Sequence, residues 1–407
     1  MSRSVVTWLD FRADDLTRAR DFIKAFQDDG VLDELGFLTL LARFSDVFHP
    51  ATSTLMRSSR YLYFAAGIYR QLEREGVRAS VVKAEARKRQ DALREVLALH
   101  EREGVIGREA TMDIKQLPSS VYWSGLRGLG FFLGGTSEAV YQASFDELRR
   151  SRRGYADDDK VAHAAGHIET WDPELPHAEF LDDEGRVLSG TAFPLTRAEA
   201  ADLARRYRQR FGGSLTAFLL DQKLRDTPYP WECGRVPDGL RAYVDHAQRF
   251  SLFARGTTLQ YYQLVIDARA RAGFSSPGDI VRPVFEAWWR EARPLLLSWR
   301  PEQMATLPDV VSGLRHERYP DLQFMADWLA RVRAASSAEA LLEDVAARRH
   351  VRDRELAVKP LKARLKHEKH LKQWDVSKVK DIAYQLDFRH PIGSRFVAEV
   401  LDGLGTK

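Results

Sequence analysis

Apolar residues recur at the three- and four-residue spacing of α-helices along most of the chain, and strand-like alternation is rare. This pattern predicts a mainly α, multi-helical fold. The exception is AEFLDDEGRVL, residues 178–188, which predicts two short strands across a turn at Gly185. We therefore expect a small β-hairpin-containing insertion in the middle of the chain. A first helix is predicted between Trp8 and Phe26. Further helices are predicted at residues 80–103, 240–272, 280–299 and 321–334, and at the capping boxes Thr196–Glu199 and Ser336–Glu339.

The most apolar helical run lies between His49 and Glu73, HPATSTLMRSSRYLYFAAGIYRQLE. Three hydroxyl residues after Pro50 are candidates for capping its first free N–H groups. From Leu55 onward an apolar spine repeats at helical spacing, and almost every position from Tyr61 to Tyr69 is apolar or aromatic. The sequence predicts a helix that begins near Leu55 and lies at the centre of a core.

Two arginines, Arg57 and Arg60, fall in the first two turns of this predicted helix and share one face. Cations are disfavoured there by the helix dipole, so an anion should compensate them. One interpretation is a carboxylate such as Asp46 or Asp10. The other is a bound phosphate, held by free N–H groups, hydroxyls and both arginines. Arg57 and Arg60 are therefore candidate nucleic-acid-binding residues.

A second candidate cluster surrounds Pro118 and combines a cation, hydroxyls and aromatic rings: Lys115, Ser119, Ser120, Tyr122 and Trp123. Lys115 could contact a phosphate and Tyr122 could stack on a base. An ordinary loop with a buried aromatic pair explains the same residues. The nearby glycines Gly128, Gly130 and Gly134 do not have the spacing of a phosphate-binding loop, and they indicate close helix packing instead.

The segments TWLDF, HPATSTLMRSSRYLYF, GVIGRE and LPSSVYWSGL resemble an uncharacterised bacterial family associated with multi-gene phage-defence and DNA-modification clusters. The resemblance covers the N-terminal third of the chain well and the remainder thinly. It implies no catalytic residues. It implies a context, in which the protein is an accessory or sensing component that works beside modification enzymes, ATPases or nucleases.

Domain limits follow from a change of charge around Gly154. The segment RRSRRGYADDDK, residues 149–160, turns from basic to acidic and is the best candidate linker. We predict an N-terminal helical domain at 1–150, a linker and small mixed segment at 151–235, and a C-terminal helical domain with a basic C-terminal segment at 236–407.

Composition favours a cytoplasmic protein, since 44% of the residues are hydrophobic, 29% are charged, and no apolar run is long enough to span a bilayer. The single cysteine, Cys233, excludes an internal disulfide and a cysteine-rich zinc site. His163, His167, Glu169 and His177 lie close in sequence, but they lack the spacing of a known metal motif. We predict no metal, no cofactor and no membrane partner.

The net charge of +4 is unevenly distributed. Between Arg348 and His390 there are thirteen Lys or Arg residues against six Asp or Glu residues, so this segment carries +7 and the rest of the chain −3. Phosphate contacts are predicted for Arg364, Lys366, His367, Lys369 and Lys372. A solvated face with an apolar stripe from Leu361, Leu365, Leu371 and Trp374 explains the segment equally well.

No catalytic residue is predicted. The stretch from His367 to Asp375 is one residue longer than the H-x-K-x4-D signature of phospholipase D-type phosphodiesterases. We expect a non-catalytic DNA-binding or adaptor component of a bacterial anti-phage defence system, restriction-modification-like in type. It would contact the DNA backbone and other defence-system proteins. The alternatives are a nuclease or phosphodiesterase of such a system, and a structural assembly subunit that binds an acidic protein partner.

Overall fold

A computed structural model of the chain describes residues 33–108, 116–157, 169–225, 227–374 and 385–406, with the backbone alone for 152–157. The chain forms two compact units, and each is assembled from separate stretches of sequence. Unit 1 comprises Met1–Ser45 and Pro237–Phe388, and unit 2 comprises Asp46–Val236 and Arg389–Lys407. The predicted division at 150 and 235 stays a prediction.

The mainly α prediction is confirmed. In chain order the α-helices are α1 Leu38–Phe48, α2 Tyr61–Arg74, α3 Ala79–His100, α4 Pro118–Gly128, α5 Glu138–Ala143, α6 Phe145–Asp157, α7 Arg197–Phe211, α8 Leu215–Gln222, α9 Asp238–Arg271, α10 Val281–Leu297, α11 Pro308–Val311, α12 Asp321–Ala334, α13 Ala338–Leu342, α14 Val345–Val358, α15 Glu368–Lys372 and α16 His390–Gly403. Short 3₁₀ helices lie at Pro230–Glu232 and Pro301–Thr306. Among the described helices, none is both long and apolar enough to cross a membrane.

The predicted β-hairpin insertion is absent, because the described part of the chain contains no strand. Residues 178–188 form a turn with a single antiparallel bridge between Leu181 and Val187. The side chain of Asp182 accepts the backbone N–H groups of Glu184 and Arg186, at 3.0 and 2.8 Å. The Arg186 N–H is therefore unavailable to a backbone carbonyl, and the pairing does not extend into a ladder.

Helix α2 begins at Tyr61, six residues later than predicted. Of the three hydroxyl residues expected to cap it, Thr52 binds elsewhere, since its hydroxyl donates to the His49 carbonyl at 2.5 Å. Ser59, which lies just before the helix, donates its hydroxyl to Glu399. Arg57 consequently precedes the helix, and the two arginines do not share a helical face. The predicted burial of α2 is confirmed, with every residue from Tyr61 to Tyr69 buried.

Helix α2 lies within the core of unit 2, where aromatic rings surround its C-terminal half. The Tyr69 ring lies 5.8 Å from Trp123, 5.3 Å from Tyr141 and 6.2 Å from Trp171. The buried Glu73 carboxylate accepts hydrogen bonds from the Tyr141 hydroxyl at 2.5 Å and the Trp171 indole at 3.1 Å. Helix α16, from the end of the chain, packs against α7 and α8 of the same unit.

The core of unit 1 is built on α9 and α10, which pack along one another. Trp288 of α10 is fully buried, and its indole N–H donates to the Leu252 carbonyl of α9 at 2.8 Å. A Cβ atom at Gly256 would lie 2.2 Å from the Trp288 ring, so the two helices approach this closely only with glycine at that position.

The two predicted capping boxes agree with the observed helix starts to within one residue. Thr196 and Glu199 form both hydrogen bonds of a capping box at the start of α7, as predicted. At α13 the capping residue is Ser337, whose hydroxyl oxygen accepts the Ala340 N–H, instead of Ser336. Residues 149–157 of the predicted linker are helical within α6. The predicted first helix, between Trp8 and Phe26, lies outside the described residues.

Candidate anion-binding cleft

Unit 2 contains an open cleft of about 720 Å³ formed by four segments of the chain. The segment before α2 contributes Arg57 and Ser58, and the loop after α3 contributes residues 102–105, 107 and 108. Phe193 and two residues of α16, Arg395 and Glu399, complete the lining. The cleft therefore depends on residues that are far apart in sequence.

The hydroxyl of the buried Tyr122 side chain binds the backbone at Arg57 and Ser58 and so fixes this segment. The Arg57 N–H donates to the Tyr122 hydroxyl oxygen at 2.7 Å, and that hydroxyl donates to the Ser58 carbonyl at 2.8 Å. Tyr122 is fully buried, and burial raises the pKa of its hydroxyl well above the ordinary value. The hydroxyl therefore stays protonated and serves both groups. The Arg57 side chain, by contrast, is exposed at the cleft.

The loop at residues 102–108 forms a second part of the lining, and three hydrogen bonds hold it. The Ile106 N–H donates to the Tyr61 hydroxyl oxygen at 3.1 Å. The Glu101 carboxylate accepts the Phe193 N–H at 2.6 Å, and the Arg108 guanidinium donates to the Glu101 carbonyl at 2.7 Å. These contacts hold the loop while the Arg102 and Arg108 side chains remain exposed.

The lining carries an excess of positive charge, with four arginines against two carboxylates. The arginines are Arg57, Arg102, Arg108 and Arg395, and the carboxylates are Glu103 and Glu399. None of these arginines forms an ion pair with a carboxylate of the described residues. Guanidinium groups without a carboxylate partner can bind phosphate oxygens in bidentate geometry. The cleft is therefore suited to a phosphate-bearing ligand.

Ser59 holds the Glu399 carboxylate of α16 in place. Its Oε2 accepts the Ser59 N–H at 2.6 Å and the Ser59 hydroxyl at 2.5 Å. Burial raises the pKa of the Glu399 carboxyl, and the hydrogen bonds from Ser59 oppose that shift. The cleft thus contains one fixed hydrogen-bond acceptor among its cations.

Arg60 does not line the cleft. It is buried, its Nε lies 3.0 Å from Glu199 Oε2, and its Nη1 donates to the Ala192 carbonyl at 2.6 Å. A carboxylate therefore compensates Arg60, although it is Glu199 instead of the expected Asp46 or Asp10. Asp46 pairs with Arg389. Asp10 lies outside the described residues.

The predicted cluster around Pro118 is mostly interior. Lys115 lies outside the described residues. Ser119 is buried, and its backbone N–H donates to Gln90 at 2.8 Å. Tyr122 contacts the cleft only through its hydrogen bonds to residues 57 and 58, while Trp123 belongs to the aromatic core.

Residues 348–374 of the predicted basic segment lie in unit 1, and the predicted phosphate contacts among them divide into paired and exposed cations. Arg364 contacts Glu34 and donates to the Tyr261 hydroxyl oxygen at 3.2 Å. One ring nitrogen of His367 lies 3.0 Å from the Pro360 carbonyl. Lys366, Lys369 and Lys372 are exposed. Of the apolar stripe, Leu371 and Trp374 are buried, whereas Leu361 is 83% exposed.

The arrangement includes functional candidates that sequence reasoning missed, namely Arg102, Arg108, Phe193, Arg395 and Glu399. Arg102 and Arg108 follow a long charged helix and look like ordinary surface residues. Arg395 and Glu399 lie four apart on α16, a pattern that usually indicates a solvated pair. Nothing in the local sequence signals that α16 meets the segment before α2.

A chain of buried polar contacts lies elsewhere in unit 2, between His49 and His390. His49 Nδ1 is 2.9 Å from Thr216 Oγ1, and His49 Nε2 is 2.9 Å from His390 Nδ1. His390 Nε2 is 2.9 Å from Thr227 Oγ1. Burial lowers the pKa of both rings, for His390 to about 4. The pair is therefore neutral at pH 7.

Cys233 lies beside this histidine pair, with its Sγ 3.7 Å from His390 Nε2. The thiol is buried, and burial raises its pKa, which disfavours the thiolate form needed for nucleophilic chemistry. Within the described ranges, no group of three or more His, Cys, Asp or Glu side chains is arranged to hold a metal ion. His163 and His167 of the sequence cluster lie outside those ranges.

No curated protein and no solved structure matches the chain. A family model does match, and it spans residues 3–404. The chain therefore belongs to this family, which is described as a family of unknown function, DUF6361.

Proposed function

We propose that the protein binds DNA through its backbone phosphates and that the cleft of unit 2 is a principal contact. The observation that carries this proposal is the set of arginines Arg57, Arg102, Arg108 and Arg395 around one open space. Each is exposed, and none has a carboxylate partner among the described residues. The role is that of a non-catalytic binding component.

Electrostatics favour a polyanion over a neutral ligand at this site. Four guanidinium groups that converge on one cleft repel each other, and a ligand with phosphate groups relieves that repulsion. Each phosphate neutralised on DNA releases condensed counterions, so this contribution to affinity depends on salt. The exposed lysines Lys366, Lys369 and Lys372 of unit 1 offer further phosphate contacts.

The proposal includes a biological setting that rests on the sequence resemblance alone. We place the protein in the bacterial cytoplasm, in an anti-phage defence system, beside modification enzymes, ATPases or nucleases. In that setting a DNA-binding component would position its partner proteins on DNA.

The test compares two double variants of the full-length protein by fluorescence anisotropy with a labelled 20-nucleotide DNA, single-stranded and duplex, at several salt concentrations. Arg57→Ala with Arg395→Ala removes two cleft cations. Arg74→Ala with Arg235→Ala removes two exposed arginines of the same unit that do not line the cleft. The cleft variant should bind at least tenfold more weakly to whichever of the two DNA forms the parent binds more tightly. Its slope of log affinity against log salt should be smaller by roughly 1.8 on duplex DNA.

The control variant should bind as the parent does, and both variants should melt within a few degrees of it. Equal DNA affinity for the parent and the cleft variant would contradict the proposal. Adding divalent metal ions to the same mixtures tests the main alternative. Cleavage of the labelled DNA would indicate a nuclease instead of a binding component.

A further inference from the structure

We infer that the cleft of unit 2 takes a nucleotide unit with an unpaired base, so that it recognises single-stranded DNA or a free nucleotide in preference to duplex. This inference rests on the proposed function, since it names the ligand class of the same site. Three features of the cleft support it, namely its size, the Phe193 ring and the Glu399 carboxylate.

The size of the cleft fits one nucleotide unit. Its volume of about 720 Å³ lies within the range of roughly 300 to 1,000 Å³ that is typical of small-ligand sites. A duplex keeps its bases stacked and paired, so only its outer surface could contact the opening. An unpaired base attached to its phosphate can enter the space.

Phe193 provides an aromatic surface in the lining. It is partly exposed, and its backbone N–H is fixed by the Glu101 carboxylate. It packs against the buried Tyr61 ring, at a centroid distance of 5.4 Å and an interplanar angle of 57°. A partly exposed aromatic ring that is fixed by its neighbours is a usual platform for stacking a base of a single strand.

Glu399 distinguishes a nucleotide from a simple phosphate. A carboxylate repels phosphate, so its presence among four arginines disfavours a ligand that is anionic throughout. It is fixed by Ser59, and it can accept a hydrogen bond from an exocyclic amino group, such as N4 of cytosine. The arginines would bind the phosphate, Phe193 the base face, and Glu399 the base edge.

The experiment uses five probes at pH 8: 5′-phosphorylated oligo-dC and oligo-dT of twelve nucleotides, a blunt duplex of the same length, deoxycytidine monophosphate, and 2-deoxyribose 5-phosphate, which lacks a base. The parent should bind the single strands more tightly than the duplex, and oligo-dC more tightly than oligo-dT. Comparison of the monophosphate with the strand separates the free nucleotide from DNA as the source of the unit.

Three variants assign the contributions. Phe193→Leu keeps the apolar bulk and should weaken single-strand binding about tenfold, whereas Phe193→Tyr keeps a ring and should retain it. Neither should alter duplex binding. Glu399→Gln should remove the preference for oligo-dC and should strengthen binding of 2-deoxyribose 5-phosphate, because the repelling charge is gone.

The outcomes separate this inference from the proposed function. If Arg57→Ala with Arg395→Ala leaves every probe bound as in the parent, phosphate binding at the cleft fails, and the nucleotide inference fails with it. If that variant loses binding while duplex and single strands bind equally and Phe193→Leu changes neither, the proposed function stands and the nucleotide inference is overturned. Melting temperatures of the variants close to the parent's exclude misfolding as the cause.

Discussion

At the scale of single residues, the buried pair His49 and His390 makes the stability of unit 2 sensitive to acid. One proton lies between the facing ring nitrogens, so one ring donates and the other accepts. A further proton would place a positive charge on a ring pair that has no solvent contact. The folded state therefore favours the neutral pair.

We expect the free energy of unfolding to fall as the pH decreases from about 6.5 towards 4. The unfolded chain binds a proton at each histidine near pH 6.5, whereas His390 in the folded chain takes one only near its lowered pKa of about 4. His390 alone should account for about 2 kcal/mol between pH 6.5 and pH 5. Urea unfolding at a series of pH values measures this dependence.

The matching variant is His390→Gln, which keeps a polar side chain but does not titrate in this range. It should be less stable than the parent at pH 7, and its stability should change by about 2 kcal/mol less over the same pH interval. Carboxyl groups titrate in both proteins, so their contribution to the pH dependence of stability cancels in the comparison. Identical pH profiles for the two proteins would contradict the assignment to His390.

The sequence could identify single residues with unusual charge but could not assign their partners. The helix dipole disfavours two cations near the start of a helix, so the sequence could predict that an anionic group lies near them. The structure separates them, because Arg60 meets Glu199, 139 positions along the chain, and Arg57 faces the cleft. A contact at that separation depends on tertiary packing, which local spacing does not encode.

At the scale of elements, the segment before α2 is held in place by α4 through the Tyr122 hydroxyl. Tyr122→Phe removes the group that accepts the Arg57 N–H and donates to the Ser58 carbonyl. The partly buried Arg57 N–H would lose its partner, and the Ser58 carbonyl would keep only the Tyr61 N–H at 3.4 Å. These losses should cost about 1–3 kcal/mol of unfolding free energy. The looser segment should also weaken DNA binding severalfold, since Arg57 is no longer held at the cleft.

Tyr63→Phe is the control for this prediction. Tyr63 is also a buried tyrosine of unit 2, and its hydroxyl donates to the Glu199 carbonyl at 2.7 Å, away from the cleft lining. Its removal should lower stability by a similar amount and leave DNA affinity unchanged. Anisotropy titrations and thermal unfolding of the two variants give both quantities. Equal DNA affinities for the two variants would show that Tyr122 has no part in positioning Arg57.

Elements with a strong apolar period were predicted well, and those that depend on competing polar groups were not. The helix at Asp321–Ala334 and the long helix α9 follow the periodicity closely. The start of α2 was misplaced because hydroxyls that could cap a helix bind other groups instead. The expected hairpin was lost for a related reason, since the Asp182 side chain takes the N–H of Arg186. Side-chain competition of this kind is not visible in hydrophobic patterning.

At the scale of the whole molecule, the order of the sequence does not correspond to the order of the units. The last helix, α16, belongs with residues 46–236, and residues 33–45 belong with residues 237–388. The cleft exists because Glu399 meets Ser59 across 340 positions. The charged residues could be counted from the sequence, but the sequence did not show that these particular residues line one cleft.

The last prediction concerns the basic segment of unit 1, whose exposed lysines should contribute phosphate contacts independently of the cleft. Arg364 is excluded from the variant, because it pairs with Glu34 and a reversal would place two carboxylates together in a half-buried site. Lys366→Glu with Lys369→Glu and Lys372→Glu should lower duplex affinity and reduce the slope of log affinity against log salt by up to roughly 2.7, or 0.9 for each lost contact.

The control reverses three exposed arginines of unit 1 outside the segment, Arg271, Arg290 and Arg300, and so changes the net charge equally. If the lysines touch phosphate, the control should keep most of the salt slope, because distant charges act only through a screened field. Combining the lysine variant with Arg57→Ala and Arg395→Ala should give additive losses of binding free energy if the two sets of cations bind phosphates independently. Equal slopes for the lysine variant and its control would show that these lysines act through bulk charge alone, and the phosphate contacts of the protein would then be confined to the arginines of the cleft.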